Sequence, residues 1–434
     1  MKKLLMITAL AFLMIGSTNA QTYDLNSFIE LVKTNNKDIL IAMKDLEAAE
    51  TQDKEATANA YPQINAEAGY NRNLNDIYMF ADLGALMPDG GTSKFKINYK
   101  NEFNFQTVVS QQIFNYTVFN AIKAAKEYEK LSNYVYDATF SGVINGCKKA
   151  FYQTLLLKEV WQVNQNAEKN ARENYDNIKN KFDNGIVSEF ELLQAEVRWK
   201  NLIPQTTQSK RNYELAINSL KSLAGIAVDK PMIVTGDFES YPNRPELVDL
   251  HTALSNRPDY NALLWEQKLR NTNIDVERAG HFPTLYGNFI YNFTSTSDEF
   301  KLEQRNAAWI AGLTLNIPIF SGWGVSARIQ RAQIEAMQTQ LKIDKQKDAI
   351  YTEIHNISLK IDEAENRINS AEKVLEVAKK GFQIADNSSK NGLATQLELK
   401  DARFGYDQAQ LNYYAAVYDY LESYFDWQLA IGAL

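Results

Sequence analysis

The chain repeats itself, and this duplication limits it to folds built from two equivalent units. Asn35-Asn36-Lys37-Asp38 and Tyr61-Pro62 recur as Asn256-Arg257-Pro258-Asp259 and Phe282-Pro283, a shift of 221 residues from Pro62 to Pro283. Ile113-Phe114 recurs as Ile319-Phe320, a shift of 206 residues. Asn184-Gly185-Ile186-Val187-Ser188 returns as Asn391-Gly392-Leu393-Ala394-Thr395, and Phe190-Glu191-Leu192 returns as Leu397-Glu398-Leu399. Four landmarks that come back in one order mark a tandem duplication, the signature of a pseudo-symmetric object. The expected division is a first repeat over 21–225, a linker over 226–246 and a second repeat over 247–434.

Residues 1–20 read as an export signal, with Lys2-Lys3, an apolar run from Leu4 to Ile15 and Ser17-Thr18-Asn19-Ala20 before a cleavage point. Loss of Lys2 and Lys3 would take the formal charge from −7 to about −9. An acidic chain with few basic–aromatic clusters argues against a nucleic-acid partner. The single cysteine, Cys147, excludes an intrachain disulfide and any multi-cysteine metal site, and reads as filler at a helix packing position. Gln21 follows the cleavage point where a lipoprotein would need cysteine. An exported chain with no later apolar run long enough for a spanning helix is periplasmic, secreted, or crosses an outer membrane as a barrel.

Each repeat has the same grammar. A short helix (25–33; 247–254) precedes a longer one (38–59; 258–279), which ends before Pro62 or Pro283. Two strands follow, at about 63–71 and 103–114, then at about 284–293 and 308–320. Their alternation predicts a polar lumen face carrying Asn65, Glu67, Asn104, Gln106, Asn288, Asn292 and Thr314. The opposite, lipid face carries Phe103, Phe105, Leu285, Phe289, Trp309 and Leu313. The segments 72–100, with Pro88-Asp89-Gly90-Gly91, and 294–306 read as polar loops. Proline-free stretches at 117–182 and 325–388 then predict two long helices. Ile354, Ile357, Ile361, Ala364, Ile368, Ala371, Leu375, Ala378, Phe382 and Ala385 step by three and four, a coiled-coil seam. Asn184-Gly185 and Asn391-Gly392 end these helices, and return helices run over 188–223 and 395–431. A return helix and a 38–59 helix together match one long helix, so the two short helices are expected end to end beside it, joined at the linker.

Four strands make an open sheet, and an open sheet cannot stand in lipid with unsatisfied edges. Closure requires several chains. Two would give eight strands and a filled interior, whereas three give twelve strands around a water-filled lumen.

The chain resembles the TolC-type outer membrane efflux proteins over essentially all of its mature length. The resemblance is carried by the strand pairs after Tyr61-Pro62 and Phe282-Pro283, by Asn256-Arg257-Pro258-Asp259, and by Pro318-Ile319-Phe320-Ser321-Gly322-Trp323-Gly324. Its most specific marks are the two turns that begin at Asn184-Gly185 and Asn391-Gly392. It implies an α plus membrane β-barrel fold, in which a homotrimer forms a twelve-stranded barrel on an α-helical tunnel. It implies a non-enzymatic exit duct in the outer membrane of a Gram-negative bacterium, without cofactor or metal. A periplasmic adaptor and an inner-membrane transporter would be its partners, and the turns would be docking tips: Gly185, Ile186, Val187, Ser188, Gly392, Leu393, Ala394 and Thr395. Glu398 and Asp401, with Glu191, match acids of the family's periplasmic constriction. The Arg and Tyr of the family's best-studied gate are replaced by Ala394 and Ser389, so that latch is absent or rebuilt.

Other functions find less support. His251, His281 and His355 fall on three different elements, and no Ser-His-Asp order or phosphate-cradling glycine loop is present. A secreted coiled-coil scaffold would explain the heptads but not four amphipathic strands. A conduit for type I protein secretion would share every feature, because a duct holds no substrate-specific chemistry.

Overall fold

The computed structural model describes residues 21–82, 92–246, 248–391 and 393–434. Residues 1–20, expected to be a signal, together with Pro88-Asp89-Gly90-Gly91 and Gly392, lie outside these residues. The described chain divides into two compact units, each assembled from both repeats. One takes the chain up to Leu46 with Asn133–Ala262 and Ile343–Leu434; the other takes Glu47–Ser132 with Leu263–Lys342. The repeat boundary therefore describes the sequence, while compactness cuts across it. The reason is that the long helices α3 (Tyr116–Asp183) and α7 (Gly324–Lys390) each run through both units.

The smaller unit holds an antiparallel sheet of β2 (Gln63–Arg72), β5 (Asn101–Phe114), β7 (Thr284–Ser297) and β8 (Gln304–Asn316), in the order β2-β5-β7-β8. Both β2 and β8 are edges. β8 stops at Asn316, four residues short of the expected end, because β7 begins at Thr284 and offers no further partner. Pro318 also lacks the N–H a ladder needs. The 72–100 segment is not simply a polar loop. It contains a hairpin of β3 (Tyr78–Asp82) and β4 (Thr92–Lys96), which exposes Met79, Phe80 and Phe95.

The larger unit is a bundle of antiparallel helix pairs. α3 returns as α4 (Glu189–Leu223), and α7 returns as α8 (Gln396–Ala430). Trp161 stacks on Tyr213, Tyr175 on Trp199, and Phe382 on Tyr406 across these pairs. The seam of α7 is buried at Ile357, Ile361, Ala364 and Ile368, and half-buried from Ala371 to Ala385. Cys147 is fully buried in the core beside Phe151, and burial pushes its thiol up to about 11, so it is inert filler. The 226–246 segment is more than a linker: Met232–Val234 forms β6 and pairs in parallel with β1 (Gln21–Tyr23). Val234 and Phe238 then enter the core.

The repeated Asn-Asn and Asn-Arg landmarks sit at matching corners. In the first repeat α1 (Leu25–Asn35) turns into α2 (Lys37–Ala58) at the buried Asn36. The Asn36 amide donates to the Leu223 carbonyl at 2.8 Å, and its oxygen accepts from the N–H groups of Asp38 and Ile39. In the second repeat α5 (Leu250–Asn256) turns into α6 (Pro258–Arg278) at the buried Arg257. Its guanidinium donates to the Ala430 carbonyl at 3.1 Å, the counterpart of Leu223. Each returning helix then ends in a left-handed glycine, Gly225 (φ 65°) or Gly432 (φ 70°). A Cβ at Gly432 would lie 2.6 Å from the Asn256 backbone, and one at Gly225 would lie 3.0 Å from the Asn35 carbonyl. Only glycine combines that backbone with that closeness. So α4 abuts the start of α2 and α8 abuts the start of α6, end to end as expected. The joins, however, lie at these corners rather than at the linker.

Candidate functional site: a two-faced sheet and two helical turns

The strand registers settle which residues share a face. Ala68, Phe105, Phe293 and Ala307 lie in one row across the sheet, and Ile64, Val109, Phe289 and Ala311 lie in another. Phe103, Leu285, Trp309 and Leu313 occupy the same face, so all six expected lipid-facing residues fall together. Aromatic rings cluster there: Trp309 packs on Phe289 and Tyr291, and Tyr70 on Phe103 and Phe300. The opposite face carries Asn65, Glu67, Asn104, Gln106, Asn288, Asn292 and Thr314. One row interrupts its polarity, where Val108, Ile290 and Ile310 follow Asn65. Such a sheet can separate an apolar medium from an aqueous one.

The first turn closes α3 by a pattern that satisfies the last carbonyls of the helix. Gly185 (φ 70°) donates to the Phe182 carbonyl at 2.8 Å and Ile186 to Lys181 at 2.9 Å. Ser188 then caps α4, its hydroxyl accepting from the Glu191 N–H at 3.3 Å. The second turn repeats this design. The Asn391 side chain donates to the Asn387 carbonyl as Asn184 does to Asn180, and Leu393 donates to Ser388. Thr395 caps α8 in a reciprocal box with Glu398: the Glu398 carboxylate accepts from the Thr395 N–H at 2.8 Å and from its hydroxyl at 2.9 Å. These bonds hold the exposed Glu398 carboxyl below the usual glutamate range.

The expected acids therefore divide by chemistry. Glu191 and Glu398 occupy the same third position of α4 and α8, where a carboxylate complements the helix N-terminus. Asp401 has no such duty, and the first repeat has Gln194 in its place. Asp401 is exposed on α8 and lies close enough to Arg198 of α4 to act on it: burial lowers the Arg198 pKa, and the Asp401 charge opposes that. Among the tip residues, Ile186 is 70% exposed and Leu393 is 83% exposed, while Ala394 is half-buried. Two apolar stripes rise from the expected tip residues Ile186 and Leu393 and extend the expected site along the helices. Phe190, Leu193 and Val197 on α4 follow Ile186, and Leu397 and Phe404 on α8 follow Leu393, all exposed. Their spacing of three, four and seven is legible in sequence, since exposed helical stripes share it with core seams.

Among the described residues no group of His, Cys, Asp and Glu could hold a metal ion, and no helix is long and apolar enough to cross a membrane. The geometry combines a four-stranded sheet of two unlike faces with long helices that return as antiparallel partners. The outer membrane efflux protein family model matches residues 28–226 and 250–433, and the chain belongs to that family. It is a protein of the outer membrane. It is 20% identical to the outer membrane protein TolC of Vibrio cholerae over 449 residues, covering 100% of this chain and 96% of that protein. It is 22% identical to the cation efflux system protein CusC of Escherichia coli O157:H7, covering 85% of this chain and 77% of that protein. Among solved structures it resembles the Campylobacter jejuni CmeC outer membrane channel, with a TM-score of 0.78 at 21% identity over 94% of this chain and 85% of that one. The open-state MtrE channel of Neisseria gonorrhoeae gives a TM-score of 0.74 at 18% identity over 94% of this chain and 88% of that one.

Proposed function

We propose that three copies of this chain close their sheets into a twelve-stranded barrel in the outer membrane. The helices continue it into the periplasm as the exit duct of a tripartite efflux system. The observation that carries this reading is the sheet itself: one apolar face, one largely polar face and two unpartnered edges. A lone open sheet of this kind has no stable place in lipid, and a closed ring of sheets does. Extraction in mild detergent should yield a trimer by light scattering and by chemical crosslinking. A protein that stays monomeric by both measures would overturn the assembly.

The helical turns supply the coupling end in this proposal. The exposed stripes from Ile186 and Leu393 support docking of an apolar helical hairpin, the form expected of a periplasmic adaptor that links the duct to an inner-membrane transporter. The docking positions are Gly185, Ile186, Val187 and Ser188, with Leu393, Ala394 and Thr395; Gly392 completes the set. Glu398, Asp401 and Glu191 are proposed to line the constriction, each repeated three times around the axis. Like charges brought together in a narrow tube attract cations. Glu398→Gln with Asp401→Asn removes both charges while keeping a residue able to complete the capping box. Single-channel recordings of this double variant should show weaker cation selectivity and weaker block by multivalent cations. Unchanged selectivity and block would leave Glu398 as a cap and Asp401 as a partner of Arg198.

A further inference from the structure

We infer that the free edge of β8 pairs with β2 of a neighbouring copy in one definite register, with Leu313 opposite Tyr70. The inference rests on the ring-closure reading above and adds the residue pairing of the seam. It follows from the internal repeat, which places one such seam inside the chain.

The two repeats are superimposable at the level of strand pairing. Adding 221 to β2 numbers and 206 to β5 numbers turns Gln63↔Ser110 into Thr284↔Asn316, and Arg72↔Asn101 into Phe293↔Ala307. Both derived pairs are observed in the β7–β8 hairpin. Shifts taken from sequence landmarks thus reproduce an independent ladder without error. β2 is the equivalent of β7, and β8 is the equivalent of β5.

The junction between repeats inside the chain is β5 against β7, where Phe105 faces Phe293, Thr107 faces Tyr291 and Val109 faces Phe289. The same shifts, applied to that junction, give the pairing of β8 with the next copy's β2. They place Ala311 opposite Arg72, Leu313 opposite Tyr70, and Leu315 opposite Ala68. One edge that accepts the other edge of the next copy makes a head-to-tail contact, which closes into a ring where the rotation between copies allows it.

Two further observations fit this register. A one-residue slip would turn apolar side chains onto the polar face. The derived pairs avoid this, because Leu313 and Tyr70 stand on the same apolar face of the sheet. In the derived register the seam also continues one residue past Asn316. Gln111 pairs with Gly287 inside the chain, so Ile317 should meet Ala66 of the next copy. Ile317 continues the strand's alternation and is exposed in one chain. Its partner in this register is on the neighbour.

The test is a disulfide scan in outer membranes, in the full chain with Cys147→Ser. Leu313→Cys with Tyr70→Cys is the direct pair, and Ile317→Cys with Ala66→Cys is a second direct pair in case the first folds poorly. Leu313→Cys with Ala68→Cys, and with Arg72→Cys, are the offset pairs on the same face. Directly opposed strand residues lie about 4.5–5.5 Å apart at Cα and can be bridged, whereas diagonal ones at about 7–8 Å cannot be bridged without movement. Mild oxidation should link the direct pairs into covalent trimers at least about tenfold faster than the offset pairs. Faster linking of an offset pair would overturn the register and leave the trimer standing. No linking by any pair, in a protein that sizes as a monomer, would overturn both.

Discussion

Replacing Arg257 with Ala should destabilise the helical unit by about 3 kcal/mol. The guanidinium is buried and answers three groups. It meets Asp259 through two donors at 2.9 and 2.7 Å, Glu353 at 2.6 Å and the Ala430 carbonyl at 3.1 Å. Removing it leaves two carboxylates facing each other and a helix-terminal carbonyl without its donor. The figure is set at the low end of the range for buried pairs because Asp259 and Glu353 are themselves partly open to solvent. Arg257→Asn gives the sharper comparison. Asn36 performs the same capture in the first repeat with a neutral amide, so Asn at 257 should recover about 1 kcal/mol of the loss through the carbonyl bond alone. Urea titration of the helical circular dichroism in detergent would measure both. A loss below about 1 kcal/mol for Arg257→Ala would mean that the ion pairs are screened as surface pairs are.

The same cluster sets a pH dependence. Burial alone would raise the Asp259 carboxyl, but the Arg257 bonds outweigh it and hold that carboxyl below the usual aspartate range. A depressed carboxylate contributes stability that is present above its unfolded value and lost as pH falls through its folded one. Arg257 keeps its charge throughout. The penalty of Arg257→Ala should therefore be full once Asp259 is ionised in the variant and shrink in acid, beginning above the ordinary aspartate range because burial raises the carboxyl once the guanidinium is gone.

Much of this fold is legible in the sequence because the repeat and the periodicities are long-range regularities. The four sheet strands, the faces they present and the two long helices follow from alternation, from the absence of proline and from a heptad seam. What escapes has a common physical character. β1 and β6 are three residues each, too short for any period, and they pair only because the fold brings residues 21 and 232 together. The β3–β4 hairpin hides in a stretch whose polarity resembles a loop. The corner landmarks are readable as a duplication but not as a device, since Asn36 and Arg257 reach equivalent carbonyls, those of Leu223 and Ala430, with different chemistry. Among the candidate acids, Ser188 with Glu191 and Thr395 with Glu398 fit the capping-box spacing before an apolar run. That local role competes with the pore role, and symmetry alone cannot separate the two. Asp401, which caps nothing, is the acid for which the pore reading carries the most weight.

Leu313→Arg should cost about 2–4 kcal/mol of barrel stability, while Thr314→Arg, one residue on, should cost much less. Leu313 is 72% exposed on the apolar face of β8. It stands eight residues from Arg305 and seven from Phe320, midway along the apolar side of the strand and the segment that follows it. At about 3.3 Å per residue and a tilt near 45°, each end lies roughly 16–19 Å away in height, which in the proposed barrel would centre Leu313 in the hydrocarbon. An arginine there can reach neither interface without dragging water or thinning the bilayer. Thr314 points to the opposite face, toward the proposed lumen, where a guanidinium keeps its hydration. Neighbouring residues with opposite outcomes test the face directly, because strand propensity, distance to the loops and position along β8 are nearly shared. Denaturant titration of folding into liposomes would measure the two costs. Equal losses at 313 and 314 would place both residues in one environment, and the sheet would then not be the wall between lipid and water.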